Sequence, residues 1–152
     1  MTRISLKKNE DRRIKAGHPW VFSNEIGRIE GTPEPGAACE LFDVSGNFIG
    51  TGYHNPHSLI AVRLLSRKPE DIDSVGFFEQ RIAAALAHRR SLYPQLETFR
   101  LIYGESDFLP GLVVDKYGDY LSLQLLSAGM DRRRGLILEA LQRLLSPKGI
   151  IA

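Results

Sequence analysis

Two carboxylates stand close together in a loop that is rich in turn-forming residues. Glu105 and Asp107 lie two positions apart between Gly104 and Gly111, and Pro110 follows them. A carboxylate pair can divide the roles of general acid and general base when the two environments separate the pKa values. Acids in a glycine- and serine-containing loop also accept backbone hydrogen bonds that shape turns. The pattern favours the turn-forming role and leaves acid–base chemistry open as the alternative.

The elements that hold this loop are predicted to be strands. Residues 98–103 indicate a strand that enters the loop, and residues 112–117 indicate one that leaves it. Gly118-Asp119 separates the second of these from an apolar run at 120–126, which is the pattern of a two-residue hairpin. We therefore expect the acidic loop to be anchored on a rigid antiparallel sheet.

Other residue types that carry chemistry are few. Cys39 is the single cysteine, so the chain has neither an internal disulfide nor a cysteine-based zinc site. Its place in an apparent strand predicts a small buried side chain rather than a nucleophile. His54 and His57 share a loop but have no cysteine or carboxylate beside them, and we predict no metal site. No glycine-rich nucleotide-binding motif is present.

The charge distribution points to a polyanionic partner. Residues 1–15 contain six Lys or Arg and only two acids, in a chain whose net charge is +2. Trp20 and Tyr53 are predicted to be exposed aromatics that could stack on unpaired bases, although Trp20 also fits a core anchor, which the sequence favours. The candidate RNA-binding residues are Arg12, Arg13, Lys15, His18, Tyr53, His54, Arg63 and Arg67.

The order of elements indicates two small domains. Short strands at 26–31, 38–44, 48–53 and 59–66 predict a β-barrel over residues 1–68, with a basic helix at 9–16. A polar linker at 67–73 precedes a helix capped by Ser74 that runs to about Tyr93, and a second helix follows 129–131. Residues 69–152 therefore predict an α+β domain of antiparallel strands with a packed helix.

Composition fits a soluble globular protein, with 43% hydrophobic and 25% charged residues. No apolar run approaches the roughly 18 residues that span a bilayer, and the N-terminus has no apolar signal core. We expect a cytoplasmic protein without a membrane partner.

Two motifs resemble a family of bacterial ribosomal RNA methyltransferases that contain a PUA domain and use S-adenosylmethionine (SAM). The first resembles the start of the PUA domain: Arg13-x-x-x-Gly17-His18-Pro19-Trp20-Val21-Phe22-Ser23-Asn24-Glu25-Ile26. The second resembles the signature of the family's middle domain: Gly104-Glu105-Ser106-Asp107-x-x-Pro110-Gly111-Leu112-x-x-Asp115-x-Tyr117-Gly118. The family includes the cytosine-C5 methyltransferase of large-subunit ribosomal RNA.

The resemblance implies that residues 1–68 form a PUA pseudobarrel that binds ribosomal RNA, and that residues 69–152 form the middle domain. In the family a Rossmann-like domain follows, which binds SAM and carries the catalytic residues. We accordingly expect this chain to be an N-terminal fragment with no catalytic residue, no cofactor and no activity alone. The loop at 104–111 would then face the catalytic domain.

The stop in an apolar run at 150–152 also indicates a fragment, whose incomplete sheet could pair edge to edge in a homodimer. The alternatives are a stand-alone RNA- or protein-binding module, or a small hydrolase that uses Glu105 and Asp107.

Overall fold

A computed structural model describes residues 1–152, and the chain divides into two compact units, Met1–Ile72 and Asp73–Ala152. Residues 67–72, which make up most of the predicted linker at 67–73, belong to the first unit. The Lys68 carbonyl accepts a hydrogen bond of 3.0 Å from Thr51 Oγ1, and Ile72 is fully buried. The first unit therefore ends at Ile72, whereas the predicted boundary lay between residues 68 and 69.

The first unit is a six-stranded sheet in the order β2-β6-β5-β4-β1-β3. Neighbouring strands are antiparallel except for β1 and β4, which are parallel. The outer strands β2 and β3 are not paired with each other, so the sheet is a curled half-barrel rather than a closed barrel. Its elements are β1 Thr2–Leu6, α1 Arg12–Lys15, β2 Trp20–Phe22, β3 Ile26–Ile29, β4 Ala37–Phe42, β5 Phe48–His54 and β6 Ile60–Ser66.

One face of this sheet forms the core of the first unit. Alternate residues along the strands point to that face, which is why Ile4 and Leu6 of β1 and Cys39 and Leu41 of β4 are all buried together. Ile14 of α1 closes the same cluster. The prediction that Cys39 is a small buried side chain is confirmed.

Helix α1 is shorter than the sequence predicted. The basic helix expected over 9–16 begins only at Arg12, because Asn9 has a left-handed backbone with φ of 67° and does not cap it. The residues after the helix, which contain Pro19, lead directly into β2. This places Trp20 on a strand, paired with Arg63 of β6.

The second unit is a four-stranded sheet in the order β10-β9-β8-β7 with helices. Strand β10 runs parallel to β9, and the other pairs are antiparallel. The predicted hairpin is confirmed, with Tyr117 opposite Tyr120 and Gly118 at φ of 59°. The elements are α2 Val75–Leu92, β7 Thr98–Tyr103, β8 Leu112–Tyr117, β9 Tyr120–Leu125, α3 Ala128–Arg132, α4 Arg134–Leu145 and β10 Gly149–Ile151.

Helix α2 is capped as the sequence predicted and buries a stripe of apolar residues. Ser74 Oγ accepts a hydrogen bond from the Phe77 N–H at 3.2 Å, which is the N-cap that the sequence predicted. Phe78 and Ile82 lie on its buried stripe. Helix α4 buries Ile137 in the same way. None of the helices combines the length and apolar character that a membrane span requires.

Candidate nucleic-acid interface

Arg67, the residue after β6, forms hydrogen bonds with carbonyl groups at the end of α1 and just beyond it. Arg67 donates from Nη1 to the Ile14 carbonyl at 2.6 Å and from Nη2 to the His18 carbonyl at 3.1 Å. The last carbonyls of a helix have no partner within the helix, so a guanidinium is well suited to bind them. Arg67 remains exposed while it fixes the segment that leads into Trp20.

Trp20 is the centre of a partly exposed cluster of aromatic and basic groups. The His18 ring meets the Trp20 ring edge-on, with 5.6 Å between centroids and an interplanar angle of 74°. The Trp20 N–H donates to His18 Nδ1 at 3.1 Å. The Arg63 guanidinium carbon lies 5.9 Å from the Trp20 ring centroid, within the range of a cation–π contact. We call His18, Trp20, Arg63 and Arg67 the Trp20 cluster.

The three basic residues of α1 have different surroundings. Arg12 is exposed. Arg13 pairs with the buried carboxylate of Glu25 at 2.6 Å. Lys15 Nζ lies 2.6 Å from Asp11 and 2.9 Å from Asp43. Of the three, only Arg12 thus offers a charge that is not already balanced by an acid.

The ion pairs of Lys15 shift the acid–base equilibria of both partners. Hydrogen bonds to Asp11 and Asp43 raise the pKa of the Lys15 ammonium above its ordinary value. The Asp43 carboxylate is held mainly by Lys15 and also by the backbone and side-chain N–H groups of Asn47, so its pKa lies far below the usual range. Lys15 therefore stays charged and acts as an anchor between α1 and the turn after β4.

The structure does not place Tyr53 and His54 in the partly exposed Trp20 cluster. Both side chains are 2% exposed, because they lie at the end of β5 between its neighbours β4 and β6. The expectation that Tyr53 is an exposed aromatic is therefore wrong. Burial lowers the pKa of the His54 imidazole below its ordinary value.

The two acids of the 104–111 loop have separate surroundings. Asp107 is buried and accepts hydrogen bonds from Arg89 Nη1 at 2.8 Å, Arg89 Nη2 at 2.7 Å and the Tyr103 N–H at 2.7 Å. Glu105 lies exposed on the 3-10 turn Gly104–Asp107. The oxygens of Asp107 are occupied by structural donors, which supports its turn-forming role rather than acid–base chemistry.

The loop is shaped by residues with unusual backbone angles. Gly104 and Gly111 have positive φ values of 51° and 89°, which glycine adopts without strain. Phe108 also has a positive φ, 59°, and its ring is exposed. Pro110 is buried next to this turn. No group of three or more His, Cys, Asp or Glu side chains is arranged to hold a metal ion.

Sequence comparison finds that most of the first unit matches a known domain family. The PUA-like domain family matches residues 4–67, which include α1, strands β2 to β6, most of β1 and the Trp20 cluster. Residues 4–67 are thus similar to a PUA-like domain, and the matched residues form the half-barrel with its basic α1–β2 segment.

The full chain is similar to ribosomal RNA large subunit methyltransferase I from several bacteria. The protein from Vibrio cholerae is 41% identical over 140 residues, which cover 91% of this chain and 35% of the relative. The protein from Erwinia tasmaniensis is 38% identical over 143 residues, covering 93% of this chain and 36% of the relative. The chain spans about a third of the length of these curated relatives. The resemblance to ribosomal RNA methyltransferases with a PUA-like domain is thus confirmed.

Two solved structures share the fold. A candidate SAM-dependent methyltransferase from Streptococcus mutans superposes with a TM-score of 0.81 at 17% identity, covering 97% of this chain and 39% of the other. A candidate methyltransferase crystallised with SAH superposes with a TM-score of 0.84 at 17% identity, covering 99% and 40%. At this level of identity the match concerns the fold alone, and it extends over both units.

Proposed function

We propose that this chain is the RNA-recognition part of a SAM-dependent ribosomal RNA methyltransferase. The observation that carries the proposal is the Trp20 cluster, an aromatic and cationic surface within a PUA-like domain. An indole flanked by a guanidinium can stack on an unpaired base, and exposed Arg12 and Arg67 can contact phosphates. Arg13 and Lys15 support the surface indirectly, because their ion pairs hold α1 in place.

The activity of the parent protein is part of the same proposal. The relatives are named as methyltransferases of large-subunit ribosomal RNA, and we propose the same substrate here, with C5 of a cytosine as the target atom. The residues present do not fit SAM: the connection from β9 to α3 is Leu126-Ser127, and the single glycine nearby, Gly129, lies within α3, so there is no glycine-rich loop. We assign no catalytic residue or SAM contact to this chain, and we propose that the cofactor binds outside it.

Three further features of the parent remain proposals. The loop at 104–111 would face the catalytic domain and close one side of the RNA cleft, anchored there by Arg89 and Asp107. The protein would act in the cytoplasm. Copies of the chain could pair through β7 or β10, the end strands of the second sheet, and sedimentation velocity would show this as a dimer.

A binding assay with a matched control tests the RNA-recognition role. Fluorescence anisotropy with structured fragments of large-subunit ribosomal RNA should give salt-sensitive binding by the full chain. Arg12→Glu should weaken binding and reduce the slope of log K against log salt by about 1, as for the loss of one phosphate contact. Arg90→Glu makes the same change of charge at an exposed position of α2 and serves as the control.

The variants also separate RNA recognition from general attraction to a basic protein. Equal weakening by Arg12→Glu and Arg90→Glu would show that only net charge matters. Binding that does not respond to salt, or no binding to any fragment, would contradict the proposed function.

A further inference from the structure

One aromatic side chain of the second unit is held outward on a strained backbone. Phe108 follows the 3-10 turn Gly104–Asp107 with a left-handed backbone, φ 59° and ψ 29°, and it is 67% exposed. A bulky residue rarely adopts a positive φ, because its Cβ then comes too close to a carbonyl oxygen. The other positive-φ residues of this loop, Gly104 and Gly111, are glycines. The shape of the loop therefore does not explain why a phenylalanine stands at position 108.

The backbone on both sides of Phe108 is fixed. Asp107 is buried and held by hydrogen bonds, and Leu109 is fully buried. The Phe108 N–H donates to the Glu105 carbonyl at 3.1 Å. The Leu109 N–H donates to the Gly104 carbonyl, also at 3.1 Å. A side chain on such a backbone loses little freedom when it meets a ligand, which favours affinity.

A guanidinium from helix α2 lies beside the exposed ring. The Arg81 guanidinium carbon is 5.8 Å from the centroid of the Phe108 ring and 5.1 Å from that of the buried Phe77 ring. Both distances are within the range of a cation–π contact. The contact leaves most of Phe108 exposed, so ring surface remains for a flat ligand. Aromatic rings and arginine side chains are the groups on which unpaired bases stack.

The charges near the loop favour stacking over phosphate attraction as the source of affinity. Asp107 pairs with Arg89 at 2.7 Å, so that guanidinium is already balanced by an acid. Glu105, exposed in the same turn, carries the charge opposite to that of Arg81. Stacking on an aromatic ring needs no net charge, because every base has a π-face. We therefore expect a contact at Phe108 that adds nothing to the salt dependence of binding.

We propose that Phe108 stacks on one unpaired base of RNA, which places a contact in the second unit in addition to the Trp20 cluster of the first. The proposal rests on the proposed RNA-recognition function and extends it to a residue of the 104–111 loop. It also accounts for the left-handed backbone, since strain that the fold does not require is typical of binding sites. In the rival reading the Phe108 ring fills an apolar pocket of a protein partner.

Fluorescence anisotropy of a short single-stranded RNA titrated with the full chain tests the contact. Phe108→Gly and Phe108→Asn should each weaken binding about tenfold, the effect of one lost stacked base. Glycine and asparagine both tolerate the left-handed backbone, so the loop keeps its shape. The slope of log K against log salt should stay unchanged, because no charge is removed, whereas Arg12→Glu reduces it. Tyr93→Leu is the matched control, since Tyr93 is a 50% exposed aromatic at the end of α2 and lies outside the loop.

Two further readouts separate stacking from a structural role. In nuclear magnetic resonance spectra of the wild-type chain, the Phe108 ring signals should shift upfield as RNA is added, because a stacked base shields them. The urea midpoint of Phe108→Gly should not fall, since relief of strain offsets the lost contact with Arg81 and the greater freedom of glycine in the unfolded chain. A clear fall in that midpoint together with weaker binding would assign Phe108 to the fold and overturn the proposal.

The outcomes distinguish this contact from the proposed function. If RNA binding depends on Arg12 but both Phe108 variants bind like the wild type, or the ring signals do not move, the Phe108 contact is overturned and the proposed function stands. Weakening by glycine and not by asparagine would trace the effect to loop flexibility and would also overturn it. Weakening in both Phe108 variants with none in Arg12→Glu would support the contact and contradict the role proposed for Arg12.

Discussion

Replacing Asp107 with asparagine distinguishes a structural acid from a catalytic one. The carboxylate receives two hydrogen bonds from Arg89 and one from the Tyr103 N–H, at 2.7–2.8 Å. Asparagine has nearly the same shape but presents an N–H₂ group to the guanidinium where the carboxylate presented an oxygen. Asp107→Asn therefore breaks the paired interaction of α2 with the loop while leaving the volume of the site unchanged.

The size of the effect follows from how deeply the pair is buried. The Asp107 side chain is 5% exposed and that of Arg89 is 15% exposed. Removing one partner of a fully buried ion pair costs about 3–5 kcal/mol, because the other charge remains buried. Arg89 retains some access to water and asparagine keeps one acceptor oxygen, so we expect about 2–3 kcal/mol, below that range.

Urea unfolding measured by circular dichroism at 222 nm provides the assay, because the two longest helices, α2 and α4, belong to the second unit. The control is Glu105→Gln, a change at an exposed acid of the same loop that should stay within about 0.5 kcal/mol of the wild type. Equal stability of Asp107→Asn and the wild type would refute the structural role of the pair.

Two other predictions concern the first unit. Gly52→Ala should lower the free energy of unfolding by about 3 kcal/mol or more, or prevent folding, because a Cβ there would lie 2.1 Å from the Arg63 carbonyl oxygen. A urea titration followed by Trp20 fluorescence measures this change in stability. His54 should make the first unit less stable as pH falls below about 6.5, because the unfolded chain takes up a proton at the ordinary pKa while the folded pKa is lower. Unfolding at pH 7.5 and 5.5 should show a smaller loss in His54→Gln than in the wild type, and an equal loss in both would contradict the assigned cause.

The sequence predicted best the strand bounds, turns and helix caps, because these depend on residues that are close together in the chain. Strands β7 and β8 begin and end where expected, since their apolar runs and the Gly118-Asp119 turn are local signals. The cap of α2 by Ser74 is local in the same sense. The turn-forming role of Asp107 could be suggested, but its partner Arg89 lies 18 residues away and no local pattern indicates that pair.

Side-chain exposure was hardest to predict where it depends on pairing between strands that are far apart in the sequence. Tyr53 was predicted to be an exposed aromatic, yet the pairing of β5 with both β4 and β6 buries it. For Trp20 the sequence favoured a core anchor over a stacking platform, and the structure leaves the residue half-buried. Its position opposite Arg63 appears only once β2 and β6 are paired.

Trp20 fluorescence during RNA titration is the most direct test of the central claim that this domain recognises RNA through the Trp20 cluster. Trp20 is the single tryptophan of the chain, so its emission reports this site alone. Stacking of a base should quench the emission in a saturable way, and log K should fall linearly with log salt with a slope of about −1.4 to −2.1 for two or three single-strand phosphates. Saturable RNA binding that leaves the Trp20 emission unchanged, or an emission change that is independent of salt, would contradict the account.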